Sequence, residues 1–272
     1  MGSPPPLRAR ATAVPAREPA DRRATGGVAA LIAAVVVAVA GCGGGGDDAA
    51  GARTRPATPP AGATATAAPS GNAAGRGPVP PALGHVESAA EDTIDYALAG
   101  RRGRVVATAR SLKAAADGPA GAELRAAGVP AAEIAEFRDR ATRVAELAPT
   151  APLLSVALAS NRAFAMVPGF FALYETPVPA AVMVLDHLDF EAKLRATARD
   201  GAGLRAAAAG LGRTWADLRP GVVSAGGTAV ARVFDAHVVR LRRLAGGGDA
   251  TAAVREAQYG LDLVDEIEGV YR

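Results

Sequence analysis

Three histidines and a handful of carboxylates are the groups in this 272-residue chain with the means to do chemistry. At 100° per residue, His187 and Glu191 fall four apart on one helical face, flanked by Met183, Val184, Phe190 and Leu194. His237 sits in the middle of an apolar stripe of Val230, Val233, Phe234, Leu241 and Leu244. Asp265 borders a second stripe, made by Val254, Leu261, Val264 and Ile267. An ionisable group on a face that must be buried has to be paired or bind something, because desolvating a lone charge costs several kcal/mol. Convergence of His187, Glu191, His237 and Asp265 would give an imidazole–carboxylate set suited to a divalent zinc, iron or copper ion. The plainer expectation is structural. There Glu191 pairs with Arg162 as a buried ion pair, and each histidine makes one ordinary hydrogen bond.

No G-x-S-x-G, H-E-x-x-H or C-x-x-C pattern occurs, and no nucleophile stands at a defensible spacing from a base. The expectation is therefore a binding domain without catalysis. Asp186, Asp189, Lys193 and Thr197 share one polar face. His85 is expected at the surface and Trp215 in the core, and Arg240, Arg242 and Arg243 with Asp262 and Glu266 read as a mutually screening surface.

Cys42 is the chain's one cysteine, so no internal disulfide is available and this thiol needs its own explanation. Val28 to Ala40 is an uncharged apolar run preceded by arginines and followed by Gly41-Cys42. Its thirteen residues are too few for a permanent span of a hydrocarbon core roughly 30 Å thick, and they match the apolar region of an export signal. Val39, Ala40, Gly41 and Cys42 together resemble the lipobox of bacterial lipoproteins. That resemblance implies diacylglycerol on the Cys42 sulfur and removal of the leader 1–41. It implies a mature chain anchored by lipid on the extracytoplasmic side of a membrane. Two alternatives stand beside it: Ala38-Val39-Ala40 also fits an ordinary A-x-A cleavage site, and Arg22-Arg23 could mark twin-arginine export.

Residues 42–84 are rich in Ala, Gly, Pro and Thr and could form almost no apolar face, so they are expected to be a disordered linker reaching roughly 35–40 Å. The sequence pI of 9.4 points toward nucleic acid until the charges are placed. The leader carries +3 and the linker +1, while residues 85–272 carry −1. The footprint of a nucleic-acid partner is missing, leaving an envelope protein or a small ligand as the expected partner.

To position these groups the remainder, 85–272, must fold as one domain. Its apolar residues recur with the helical period, which predicts an all-α, multi-helix bundle of about six to eight helices. The segments are 86–117 with a break at Gly100 and Gly103, 130–147, 150–175, 179–200, 203–224, 228–245 and 250–271. Ala151 to Tyr174 is apolar nearly all round, which predicts the buried centre of the bundle; a membrane span is the rival, opposed by Arg162, Asn161 and Pro168. Pro168 and Pro220 are expected to kink or end their helices.

Overall fold

The computed structural model describes residues 77–272, so the leader, Cys42 and the linker up to residue 76 lie outside the described residues. Ten helices follow in order among the described residues: α1 (Pro81–Leu98), α2 (Arg102–Asp117), α3 (Pro119–Ala126), α4 (Ala131–Leu147), α5 (Leu153–Phe164), α6 (Val167–Phe171), α7 (Ala180–Thr197), α8 (Gly201–Ser224), α9 (Thr228–Gly247) and α10 (Ala250–Val270). The all-α bundle is as the periodicity requires. The first helix begins at Pro81, earlier than residue 85, and just before it the Gly77 carbonyl accepts from the Glu175 amide at 2.9 Å.

Local chemistry explains most boundaries. Pro80, Pro130, Pro152 and Pro179 immediately precede α1, α4, α5 and α7, where a missing N–H leaves no intrahelical bond unmade. Asp200 and Asp249 cap α8 and α10, each accepting from the amide three residues on at 2.9 Å. Gly248 ends α9 at φ +76°, the left-handed conformation that glycine enters without a Cβ clash.

Two expectations change. Pro220 lies inside α8 without ending it. Ala216, whose carbonyl the proline cannot engage, is exposed, so water can satisfy that oxygen. The stretch 150–175 is two helices, α5 and α6, with a turn between them and Pro168 in the first turn of α6. Leu153–Phe171 has the length and hydropathy of a membrane span. In the fold, Val156, Ala157, Phe164 and Phe170 from this stretch are buried in the core.

The packing makes α7 the central helix. It lies against α5 and α6 on one side and against α8 and α10 on the other. One apolar core gathers α1 to α6 together with Met183, Phe190 and Leu194 of α7, around the edge-to-face pair Phe137–Phe170 at 5.2 Å. A second gathers α8 to α10 with Val182, Leu185 and Ala192 of the same helix, around Trp215 and Phe234 at 4.5 Å. Trp215 is a core anchor, its indole N–H donating to Asp235 at 2.7 Å.

Candidate functional site

A helix buried on several sides has no spare polar face, so each charged residue of α7 needs its own solution. Three different solutions are visible, on three sides of the helix.

The first is a closed chain of charges. Asp189 and His237 are fully buried, and His237 Nε2 donates to Asp189 Oδ1 at 3.0 Å while Nδ1 donates to Glu256 Oε1 at 2.9 Å. Carboxylate oxygens only accept, so two such neighbours favour an imidazolium with a proton on each nitrogen. Burial alone would lower the pKa of His237, but hydrogen bonds and charge from Asp189 and Glu256 bring it out above its ordinary value. Burial lifts Asp189 to about 6 against the pull of His237. Glu256 is completed by Arg240, whose Nε donates to both oxygens at 3.0 and 3.1 Å. The chain Asp189–His237–Glu256–Arg240 thus alternates in sign. Asp189 Oδ2 remains buried without a partner, against the bare Cα of Gly260.

The second solution is a bridge. Asn161 on α5 is buried, and its amide donates to Glu191 Oε2 at 2.8 Å while its carbonyl accepts from His187 Nδ1 at 3.1 Å. Arg195 Nε donates to Glu191 Oε1 at 2.7 Å and its Nη1 to Asp200 at 3.0 Å. Burial holds His187 below its ordinary pKa, the direction of a neutral ring.

These two networks revise the expected site. Glu191 pairs with Arg195, and Arg162 is exposed; the residue of α5 that reaches Glu191 is Asn161, one position and 100° earlier on the helix. The four residues considered for a metal do not converge: His187 and Glu191 share Asn161, His237 is locked to Asp189 and Glu256, and Asp265 is exposed. Among the described residues no group of three or more His, Cys, Asp or Glu side chains is placed to hold a metal ion. Asp189, read from the sequence as part of a polar face, is the buried partner of His237. Of the residues read as screening surface, Arg240 belongs to this network, and Arg242 lies flat against Gly212 of α8. His85 is exposed and bonds Ser111 at 2.7 Å.

The third side is unresolved in charge, and it is the candidate site. Beside α7, acids of α1, α7 and α10 lie near enough to raise one another's pKa and form an acidic seam. Glu87, Glu91 and Asp95 recur every fourth residue of α1, Asp186 comes from α7, and Asp265 and Glu268 come from α10. Burial, and then the charge of Glu268, holds Glu87 up to about 7. Burial, and then the charges of Glu87 and Glu268, holds Glu91 up to about 8. Asp186 is pushed well above the usual carboxylate range by enclosure and by Glu91, Glu268, Asp189 and Asp265. Asp186 is half-buried, and among the described residues no side chain is bonded to it. A cavity of about 340 Å³ is lined by Glu87, Glu268, Met183 and Phe171 together with Arg272, which donates to Glu268 at 2.6 Å. Sequence periodicity could not find this seam, because it depends on which helices meet; the signal that was present is the four-residue repeat of acids in α1.

A separate cavity of about 480 Å³ lies at the other end of α7, lined by Arg195, Arg199 and Arg205 with the capping residues Asp200 and Asp249. Arg199 takes φ 56° in the turn between α7 and α8. No known protein family, curated protein or solved structure matches this chain.

Proposed function

We propose that this chain is a lipoprotein held by lipid on Cys42 to the outer side of a membrane, and that its helical domain binds a partner or small ligand without catalysing a reaction. The address rests on the sequence: basic flank, apolar run, Val39-Ala40-Gly41 and a sole cysteine coincide within the first 42 residues. The observation that carries a binding role is the contrast on α7. On one side His237 is held by Asp189 and Glu256 and offers no exposed atom to a substrate, while on the other the acids of α1, α7 and α10 raise one another's pKa and are offset only in part by Arg272 and Lys193. Carboxyls crowded in this way hold protons near neutrality and ionise more readily beside a cationic partner.

The anchor is tested by expressing the full chain in a bacterium and separating membranes from soluble material. Wild type is expected in the membrane pellet, and in the detergent phase on extraction, with a diacylglyceryl mass on the N-terminal peptide beginning at Cys42. Cys42→Ser is expected in the soluble fraction. A mature protein beginning at Gly41 with a free thiol overturns the reading.

A further inference from the structure

A cavity of about 370 Å³ beside the Asn161 bridge is the observation that goes furthest. Its polar lining is Arg140 of α4, Arg162 of α5 and His187, Glu191 and Arg195 of α7, and α8 contributes only glycine and alanine. The volume is at the small end of ligand sites.

The bonds already made decide what is left over. Glu191 is fully engaged, one oxygen by Asn161 at 2.8 Å and the other by Arg195 at 2.7 Å. Arg195 also donates to Asp200 at 3.0 Å, so it has no charge to spare. Arg140 donates to the Arg162 carbonyl and to exposed Glu136, each at 2.5 Å, and Glu136 is not part of the lining. Among the described residues no carboxylate pairs with Arg162. Three guanidiniums against one carboxylate leave the lining with two positive charges in excess.

His187 supplies the remaining group. Asn161 donates through Nδ2 to Glu191, so its Oδ1 is the atom that accepts from His187 Nδ1 at 3.1 Å. In the neutral ring this fixes the proton on Nδ1 and leaves the lone pair on Nε2. Nε2 has no partner among the described residues, and it is not sealed in. The buried unpartnered side-chain atoms among those residues are Asp189 Oδ2 and Tyr271 Oη.

We propose that this cavity binds a phosphate monoester, its oxygens held by Arg140, Arg162 and His187 Nε2 and its organic part laid against Leu188 and Ala206. The site lies apart from the acidic seam, goes beyond the binding role argued for that seam, and stands whether or not the seam takes a partner. Two excess positive charges repel a metal cation and match a dianion, and the guanidinium fork fits phosphate oxygens. Nε2 has no hydrogen to offer a dianion, so the complex takes up a proton between the ring and a phosphate oxygen. Burial holds His187 below its ordinary pKa, with Glu191 pulling against it and Arg140 adding to it. The charged groups that face the ring are Glu191 and Arg195 from α7, Arg140 from α4 and Arg162 from α5, and none from α8. An arriving dianion offsets the arginines and favours the protonated ring.

The test is calorimetric titration of glycerol phosphate into the full chain in a non-ionic detergent, in two buffers with different heats of ionisation. The expected result is one saturable site with net uptake of about one proton at pH 8, weakening by up to about tenfold per pH unit between roughly pH 7 and 8.5. Arg162→Gln should weaken binding about tenfold or more, and His187→Gln should abolish the proton uptake. Arg162 is exposed, so its replacement spares the core, as unchanged near-UV circular dichroism will show. Arg110→Gln on α2 should bind as wild type. Sulfate, of similar shape but without a proton to share at these pH values, should bind at least about tenfold more weakly. Dihexanoyl phosphatidic acid distinguishes the source of the ester. Tighter binding than glycerol phosphate supports the site as one for a lipid headgroup, and equal or weaker binding supports it as one for a soluble molecule. The proposal is overturned if glycerol phosphate gives no saturable heat, if Arg162→Gln binds as wild type, or if His187→Gln still takes up the proton. Failure here with the protein still in the membrane pellet removes the ligand and leaves the lipoprotein.

Discussion

Gly260 in the middle of α10 carries the sharpest structural prediction. A Cβ at this position would lie 2.4 Å from Asp189 Oδ2, 2.5 Å from Asp189 Cγ and 2.5 Å from His237 Nε2. All three are closer than atoms can approach, and both side chains are fully buried with no room to retreat. Gly260→Ala must therefore push the carboxylate and imidazole apart and lengthen their 3.0 Å bond. Weakening a charge-assisted hydrogen bond costs about 1.5–3 kcal/mol, and inserting a methyl into a packed interior about 1–3 kcal/mol. Against this stands the helix preference for alanine over glycine, about 1 kcal/mol. The net expectation is a loss of about 2–4 kcal/mol, or roughly 5–15 °C in Tm for a domain of this size. Gly84→Ala in α1 is the control, since nothing lies within 4 Å of its Cβ position, and it should gain about 0.5–1 kcal/mol. Urea unfolding followed by far-UV circular dichroism measures both. If Gly260→Ala proves as stable as wild type, the buried Asp189–His237 contact is not what holds α7 to α9 and α10, and the reasoning fails.

Two further perturbations address the other sides of α7. Glu91 is held at about 8 in the fold against an ordinary value of 4.5, so the native state keeps its proton longer than the unfolded chain does. Its contribution is complete below its ordinary value and drains away as the pH climbs toward 8. Linkage puts the loss between about pH 5.5 and 8.5 at roughly 3 kcal/mol, reduced to about 1–3 kcal/mol by solvent at a half-buried site. His237, raised above its ordinary value, adds loss in the same alkaline direction. Glu91→Gln should flatten this decline, and urea midpoints at the two pH values would contradict the claim if variant and wild type fell in parallel. Asn161→Leu deprives Glu191 Oε2 and His187 Nδ1 of their shared amide. It should cost about 2–4 kcal/mol in urea unfolding, and a cost below about 0.5 kcal/mol would show that Arg195 alone satisfies Glu191.

The helices were legible because their signals are local. Apolar period, the prolines before α4, α5 and α7 and the Asp249 cap can all be read within a few residues. The short α3 was missed because its eight residues, PAGAELRA, offer Leu124 as their one large apolar side chain and so carry too little periodic signal. The centre of the bundle was misplaced for a physical reason. Uniform apolarity marked 151–174, but the helix that touches both cores is α7, which carries Asp186, His187, Asp189, Glu191, Lys193 and Arg195. A central helix can be that polar only when its neighbours supply partners from several directions, and partners from other helices are invisible to a single-helix projection. His237 was found because a lone imidazole interrupts an otherwise apolar stripe. Its partner Asp189 was missed because the residues around it on α7 are also charged, so nothing in the sequence marked it as buried.

The same reasoning distinguishes scaffold from site on this helix. A buried charge network that alternates in sign, as Asp189–His237–Glu256–Arg240 does, presents no open charge, because its unpartnered atom, Asp189 Oδ2, is sealed against Gly260, and removing any member strands the others. Its work is to fix the register of α7 against α9 and α10. The seam against α1 has the opposite character. Its acids raise one another's pKa and are offset only in part by Arg272 and Lys193, so neutralising them relieves the fold while their retention weakens it above neutral pH. The asymmetry gives each network its own signature under neutralising substitution: loss of stability at Asp189, gain of alkaline stability at Glu91.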